Sequence, residues 1–207
     1  MTRITLAALS SLLATPALAH HPLNGMPMES FAQGLLSGVG HPVLGFDHLF
    51  FVVAMGVAAA FTARRFLTPL AYVAAMLAGC LLMAGGVGLP ATEAVIAVSL
   101  LATGGIVLSG RTLGVGAALA VFAGFGLFHG SAFGGSIAGA EAVAMPVLLG
   151  YLLGLGVVQY AIAAVVVMGV RAADRMSARM IGAGVAGLGV FLVLEIAEGP
   201  LVAAIAG

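Results

Sequence analysis

The arginines of this chain lie between its long apolar runs, and this spacing constrains the fold more than any other feature of the sequence. Lysine is absent, and beyond Arg3 there are six basic residues, namely Arg64, Arg65, Arg111, Arg171, Arg175 and Arg179. Short loops rich in basic residues stay on the cytoplasmic side of a membrane. The spacing therefore predicts helices that cross a membrane in alternate directions, with each group of arginines at a cytoplasmic end.

Composition supports a membrane as the solvent for most of the chain. Hydrophobic residues make up 62% and charged residues 7% of the sequence, and the mean hydropathy is +1.24. These values exclude an ordinary soluble domain. A span needs about 20 apolar residues to cross roughly 30 Å of hydrocarbon, so the chain has room for six spans with short loops. The formal net charge of zero argues against a nucleic-acid partner.

Residues 1–19 have the pattern of a secretory signal peptide. Arg3 precedes an apolar stretch from Ile4 to Leu13, and Ala17-Leu18-Ala19 forms a small-residue cleavage site. The alternative, an uncleaved first helix, is shorter than a span and ends at Pro16. Cleavage leaves a single membrane-embedded helical domain, residues 20–207, that begins at His20 outside the cytoplasm. We therefore predict a multi-pass protein of the bacterial inner membrane, with both termini outside.

The apolar runs predict an all-α membrane protein with six transmembrane helices. Their approximate bounds are 47–63, 67–86, 92–109, 113–135, 145–170 and 180–196. The preceding segment, 24–40, is too polar and too rich in glycine to span, so it predicts an interfacial or re-entrant lead-in ending at His41-Pro42. Pairs such as Gly34/Gly38 and Gly150/Gly154 have the small-xxx-small spacing that brings helix backbones close together in lipid.

The acidic residues and the histidines gather at the end opposite the arginines. Asp174 is the one acid expected inside, and the outer acids are Glu29, Asp47, Glu93, Glu141, Glu195 and Glu198. A negatively charged outer surface concentrates cations near the protein, although the acidic residues could equally complement the basic inner side. The histidines on the same side are His20, His21, His41, His48 and His129.

His129 and the segment from His41 to His48 suggest a metal site. Ionisable groups at membrane depth usually face a bundle interior or a water-filled path, although His129 could instead be a structural histidine bonded to a carbonyl. Pro42 and Gly45 break regular helix, so His41 can approach Asp47 and His48. Imidazole with carboxylate suits Ni²⁺, Co²⁺ or Zn²⁺. Asp47 could be a ligand, could orient His48, or could cap the first span.

These residues resemble the HupE/UreJ metal permeases, which are accessory to nickel hydrogenases and ureases and are implicated in nickel or cobalt entry. The run 41–49, HPVLGFDHL, is similar to the family's His-Pro-x-x-Gly-x-Asp-His-Leu signature, and Phe128 to Gly134 is similar in part to a fourth-span motif. The family motif has a second histidine where this chain has Phe133. In the fifth span Gln159 stands where the family often has a histidine.

We therefore predict a permease for a divalent transition metal, nickel or cobalt as the resemblance implies, that supplies metalloenzyme maturation. It is not expected to be an enzyme. The predicted ligands are His41, Asp47, His48 and His129, with His20 and His21 as a capture site and with Gln159 and Glu141 along the pathway. Expected partners are lipid, the transported Ni²⁺ or Co²⁺ and hydrogenase or urease maturation proteins, with no tightly bound cofactor. The alternative is a non-transporting metal-capture or scaffold protein.

Overall fold

The computed structural model describes residues 28–138, 144–172 and 174–206, and the regular structure within these ranges is entirely α-helical. The all-α class predicted from the sequence is confirmed. The helices are α1 (Phe31–Leu44), α2 (Phe46–Ala60), α3 (Thr68–Ala84), α4 (Thr92–Ser109), α5 (Val115–Ala138), α6 (Met145–Ala172) and α7 (Arg175–Ala206).

Length and composition identify four of these helices, α4 to α7, as candidate membrane spans. Helices α1 and α2 together form a fifth candidate, bent by 77° at a short break. Helix α3 is apolar but has 17 residues, which is about 25 Å at 1.5 Å per residue. The chain is therefore a helical membrane protein with four or five candidate spans, whereas six spans and two outer termini remain predictions.

The segment before α2 differs from its prediction in one respect. The expected lead-in ending at His41-Pro42 is a regular helix, α1, which continues through Pro42 to Leu44. Pro42 lies within the last turn, where its missing N–H costs one hydrogen bond, to the carbonyl of Gly38. The break falls at Gly45, the second of the two predicted breakers, whose backbone is extended. A Cβ there would lie 3.0 Å from Cδ2 of His48, so glycine permits the sharp corner.

Glycine contacts join the other helices in three pairs, as the small-xxx-small spacing predicts. A Cβ on Gly34 of α1 would overlap the backbone of α6, one on Gly130 of α5 would overlap that of α3, and one on Gly104 of α4 would overlap that of α7. Such close approach provides van der Waals contact where lipid supplies no hydrophobic drive. Helix α2 lies among these pairs and contacts α1, α4, α6 and α7.

Helix α7 is longer than predicted at both ends. It begins at Arg175, not near Met180, and continues beyond Ile196 to Ala206. Arginine is a good helix former with a long side chain, so it is tolerated in a first turn at a membrane surface. The N–H of Ser177 donates to Oδ1 of Asp174 at 2.7 Å, and this bond lowers the pKa of the Asp174 carboxyl. By contrast, α4 has the bounds predicted for it.

Candidate metal site

Two histidines from different helices meet inside the bundle. His48 lies in the first turn of α2 and His129 lies in α5, and their Nδ1 atoms are 2.8 Å apart. The His48 residue is 6% exposed and His129 is fully buried. Ionisable side chains are costly to place at membrane depth and are usually held by partners there. The structure therefore brings together two of the four predicted ligands as a hydrogen-bonded pair.

Ser99 on α4 fixes the direction of this hydrogen bond. Its hydroxyl donates to the carbonyl of Ile96 at 2.6 Å, so its oxygen accepts from Nε2 of His129 at 2.9 Å. A neutral imidazole that donates through Nε2 carries a lone pair on Nδ1. His48 must then donate through its own Nδ1. The chain of donors consequently runs from His48 to His129 to Ser99.

The other ring nitrogen of His48 faces the carboxylate of Asp47. Nε2 of His48 lies 3.7 Å from Oδ2 of Asp47, and the Asp47 side chain is 28% exposed. If His48 is neutral, the lone pair on Nε2 faces the carboxylate, and a cation between the two atoms would relieve their repulsion. Metal–nitrogen and metal–oxygen bonds of about 2.0–2.2 Å sum to more than 3.7 Å, so one ion could bridge these two atoms. Asp47 and His48 thus place one oxygen atom and one nitrogen atom within reach of a single ion.

The capping role considered for Asp47 is wrong. Gly45 is the N-cap residue of α2, and no side chain caps that helix end. Asp47 lies instead within the first turn. A carboxylate in this position still interacts favourably with the helix dipole, because the N-terminal N–H groups carry partial positive charge. The side chain remains available for a ligand.

His41 lies beside the pair and is bonded elsewhere. Its ring centroid is 6.3 Å from that of His48, and its Nδ1 is 3.1 Å from the hydroxyl of Tyr151. Tyr151 also donates to the carbonyl of Phe133 at 3.0 Å. The Phe133 ring packs against both histidines, with centroid distances of 4.2 Å to His48 and 5.2 Å to His41. Phe133 therefore occupies the space where a third imidazole would reach both rings.

The predicted ligands do not form one complete coordination shell. Across residues 28–138, 144–172 and 174–206, no three His, Cys, Asp or Glu side chains are grouped closely enough to hold a metal ion. Residues His20, His21 and Glu141 lie outside the described residues, as does the signal peptide. The arrangement that the structure does describe is partial and open.

Gln159 lies in a second polar layer rather than with the histidines. Its Oε1 accepts from the hydroxyl of Tyr72 at 2.6 Å, and its Nε2 has no hydrogen-bond partner among the described residues. The ring of Tyr72 contacts that of His129 edge-on at 5.9 Å. On α6, Gln159 is eight residues beyond Tyr151, or about 12 Å along the axis. Tyr72 thereby links the histidine pair to this deeper amide.

Sequence reasoning missed the hydroxyl groups that hold the site. Ser99, Tyr72 and Tyr151 are all fully buried, and each is bonded to a predicted site residue. The signal that could have found them is the rarity of polar side chains in apolar spans, since such groups face protein and not lipid. The sequence contains only three tyrosines. Two of them contact this site.

Fold and site together define a helical membrane protein with an imidazole–carboxylate group among its buried helices. The chain belongs to the HupE/UreJ family: residues 7–192 match the family described as HupE / UreJ protein. This confirms the resemblance seen in the sequence motifs. The chain is also 33% identical over 132 residues to Protein HupE of Rhizobium leguminosarum bv. viciae. The match covers 63% of this chain and 64% of that protein. No solved structure matches the chain.

Proposed function

We propose that the protein is an inner-membrane permease for a divalent transition metal, nickel or cobalt, that supplies metalloenzyme maturation. The ion is its substrate, not a resident cofactor. One observation carries the proposal: His48 and His129 form a buried pair, and Asp47 faces the other nitrogen of His48 from a partly exposed position. Membership of a family associated with hydrogenase and urease accessory functions supports the choice of metal.

In this proposal Asp47 and His48 are the first ligands. Asp47 is reached from outside, and an incoming ion bridges Oδ2 of Asp47 and Nε2 of His48. A ligating histidine normally donates its other N–H to a partner that fixes the ring. His129 is that partner, since it accepts from Nδ1 of His48. We therefore revise the role of His129 from ligand to positioning residue in the geometry observed here.

The small number of protein ligands suits a transport site. An ion held by one imidazole and one carboxylate retains several waters, and such labile ligation allows release as well as capture. A closed shell of four protein ligands would hold the ion too tightly to move it on. Tyr72, Gln159 and Thr103 are the next buried polar groups, and we propose that they line the onward route.

The second candidate is a non-transporting protein that captures metal or anchors a metalloenzyme assembly. It is favoured by Phe133, which fills the position between His41 and His48 with an aromatic ring that cannot coordinate. It would bind metal through the same Asp47 and His48 donors. It differs from the permease in that ions would not reach the cytoplasm.

The geometry gives no support to a serine hydrolase. A nucleophilic serine must give its proton to a basic histidine nitrogen. Ser99 instead donates to Ile96 and accepts from His129. Ser131, the other serine near His129 in sequence, accepts from the N–H of Leu89 at 3.4 Å. We propose no catalytic activity.

The test is cellular accumulation of nickel and cobalt, measured by elemental mass spectrometry in a host that lacks its own importers. Cells express the wild type, His48→Ala or His129→Ala at equal membrane levels, or carry an empty vector. Ser131→Ala is the matched control, because it removes a polar group from α5 two residues from His129 without touching the pair. We expect the wild type and the control to accumulate metal and both histidine variants to match the vector.

A wild type that accumulates no more than the vector would reject the permease. Calorimetric titration of the purified protein with Ni²⁺ then separates the remaining cases. Binding that depends on His48 would support the metal-capture protein. Absence of binding would support a scaffold protein that anchors a metalloenzyme assembly.

A further inference from the structure

A cavity of about 230 Å³ opens at the end of the bundle opposite the histidines. It lies where α2 and α4 end and α7 begins. Three arginines line it, Arg111 after α4 and both Arg175 and Arg179 in the first turns of α7. The apolar residues Phe61, Ala58 and Val107 also line it. This cavity is separate from every residue of the proposed metal site.

The charge of the cavity is not balanced by neighbouring acids. None of its lining residues is Asp or Glu. In the part of the chain that the structure describes, none of the three guanidinium groups has a carboxylate within ion-pairing distance. Asp174 is next to Arg175 in sequence but is bonded to the N–H of Ser177.

The arginines also converge, which a preference for the cytoplasmic side does not explain. Retention of basic residues on one side requires only that they lie near that surface. Here Nε of Arg179 donates to the carbonyl of Leu108 at 2.8 Å, which ties α7 to the end of α4. Gly110 follows α4 in a left-handed conformation and turns the chain so that Arg111 faces the same cavity.

We propose that this cavity binds the phosphate group of an anionic ligand, either a lipid headgroup or free phosphate. The planar guanidinium fork matches phosphate oxygens and forms paired, charge-assisted hydrogen bonds. The space is many times that needed by one water, so an oxyanion fits together with ordered water. A basic pocket between helices at a membrane surface is the arrangement that recognises anionic headgroups. The apolar lining residues would contact the part of a lipid next to its phosphate.

Thermal unfolding of the purified full chain tests the proposal. Cys80 is the only cysteine and is buried, so a thiol-reactive dye reports unfolding directly. The probes are phosphatidylglycerol, phosphatidylcholine and inorganic phosphate, each titrated in detergent. A ligand that binds only the folded protein raises the midpoint as its concentration exceeds the Kd. The fitted Kd is compared across variants.

The variants are Arg111→Gln and Arg175→Gln, made separately so that one folded variant suffices. Arg179 is avoided because its bond to Leu108 is structural. Arg64→Gln is the matched control, since it removes the same charge from an exposed position outside the cavity. We expect either cavity substitution to weaken binding about tenfold, the loss typical of one charge-assisted hydrogen bond. The control should bind as the wild type does.

The three probes distinguish the sources of the phosphate group. Stabilisation by phosphatidylglycerol alone identifies a lipid headgroup, and stabilisation by inorganic phosphate identifies a soluble ion. The proposal is overturned if neither phosphatidylglycerol nor inorganic phosphate raises the unfolding midpoint of the wild type. It is also overturned if phosphatidylcholine stabilises as much as phosphatidylglycerol, or if Arg64→Gln weakens binding as much as Arg111→Gln.

Discussion

The two ends of the bundle hold their ionisable groups in opposite ways. At one end His48 and His129 are buried and bonded to each other. At the other end Arg111, Arg175 and Arg179 are exposed around an open cavity. A buried imidazole can be neutral and become a ligand, whereas a guanidinium stays charged and attracts anions. Burial therefore favours a neutral group that can act as a ligand at one end of the bundle, and exposure permits a permanent charge at the other.

The largest effect should come from His129→Leu, which removes the partner of His48. The Nδ1 of His48 and the oxygen of Ser99 both lose their hydrogen bond, so the ring is no longer held towards Asp47. Loss of a group that orients a metal ligand typically costs 10- to 100-fold in affinity. Titration calorimetry with Ni²⁺ should show this loss.

The matched control for His129→Leu is Ser131→Leu, on the same helix. An unchanged Kd in His129→Leu would break the comparison, because it would mean that the buried pair does not organise the site. A loss of equal size in the control would point to a general disturbance of α5.

Phe133→His should strengthen metal binding, by about tenfold. The new imidazole would lie against both His41 and His48, where the aromatic ring now packs. Additional nitrogen ligands raise affinity for nickel and cobalt. Calorimetry measures the affinity, and the accumulation assay shows whether tighter binding slows release. Phe122→His, on the same buried helix but away from the histidines, should leave the affinity unchanged; a similar gain there would contradict the assigned geometry.

Tyr72→Phe should separate binding from passage. It removes the hydroxyl that donates to Gln159 and leaves both polar atoms of the amide without a described partner. Hydrogen bonds within membranes contribute about 0.6–2 kcal/mol, so the loss of unfolding free energy should be of that size. We expect severalfold lower accumulation with an unchanged Kd at the outer site.

Tyr160→Phe provides the control for Tyr72→Phe, since its hydroxyl makes an exposed bond of 3.3 Å to Phe66. Equal accumulation by Tyr72→Phe and the wild type would remove the Tyr72–Gln159 pair from the proposed route.

The smallest effect is expected from Arg111→Gln on the metal site. The two ends share no residues, and substitutions separated by more than about 10 Å usually act independently. The Kd for Ni²⁺ should therefore stay within twofold of the wild-type value. A larger change, with the variant folded as judged by its unfolding midpoint, would show that the two ends are coupled.

Features set by local chain chemistry could be predicted from the sequence. The bounds of α4 follow from an apolar run ended by Gly110 and Arg111, and the observed helix has those bounds. The tight packing at Gly34 and Gly38 follows from their spacing. The approach of His41 to His48 follows from a break between them, which Gly45, one of the two predicted breakers, provides.

Features set by contacts between distant segments could not be predicted in this way. Nothing in the sequence near His129 indicates that Ser99, on another helix, would fix its donor and acceptor atoms. The ends of α7 were misjudged because hydropathy reports where a helix enters lipid, not where its hydrogen bonding stops. The role of Asp47 depended on which residue capped α2, and that depended on the corner at Gly45.

The glycine contacts divide the bundle mechanically. In the pairs α1–α6, α3–α5 and α4–α7, backbone lies against backbone, so neither member can rotate or slide without a clash. Helix α2 contacts members of all three pairs and has one glycine, Gly56. The three pairs therefore form a frame of close backbone contacts, and α2, which carries His48 near one end and Ala58 near the other, runs through that frame from the histidine pair to the arginine-lined cavity.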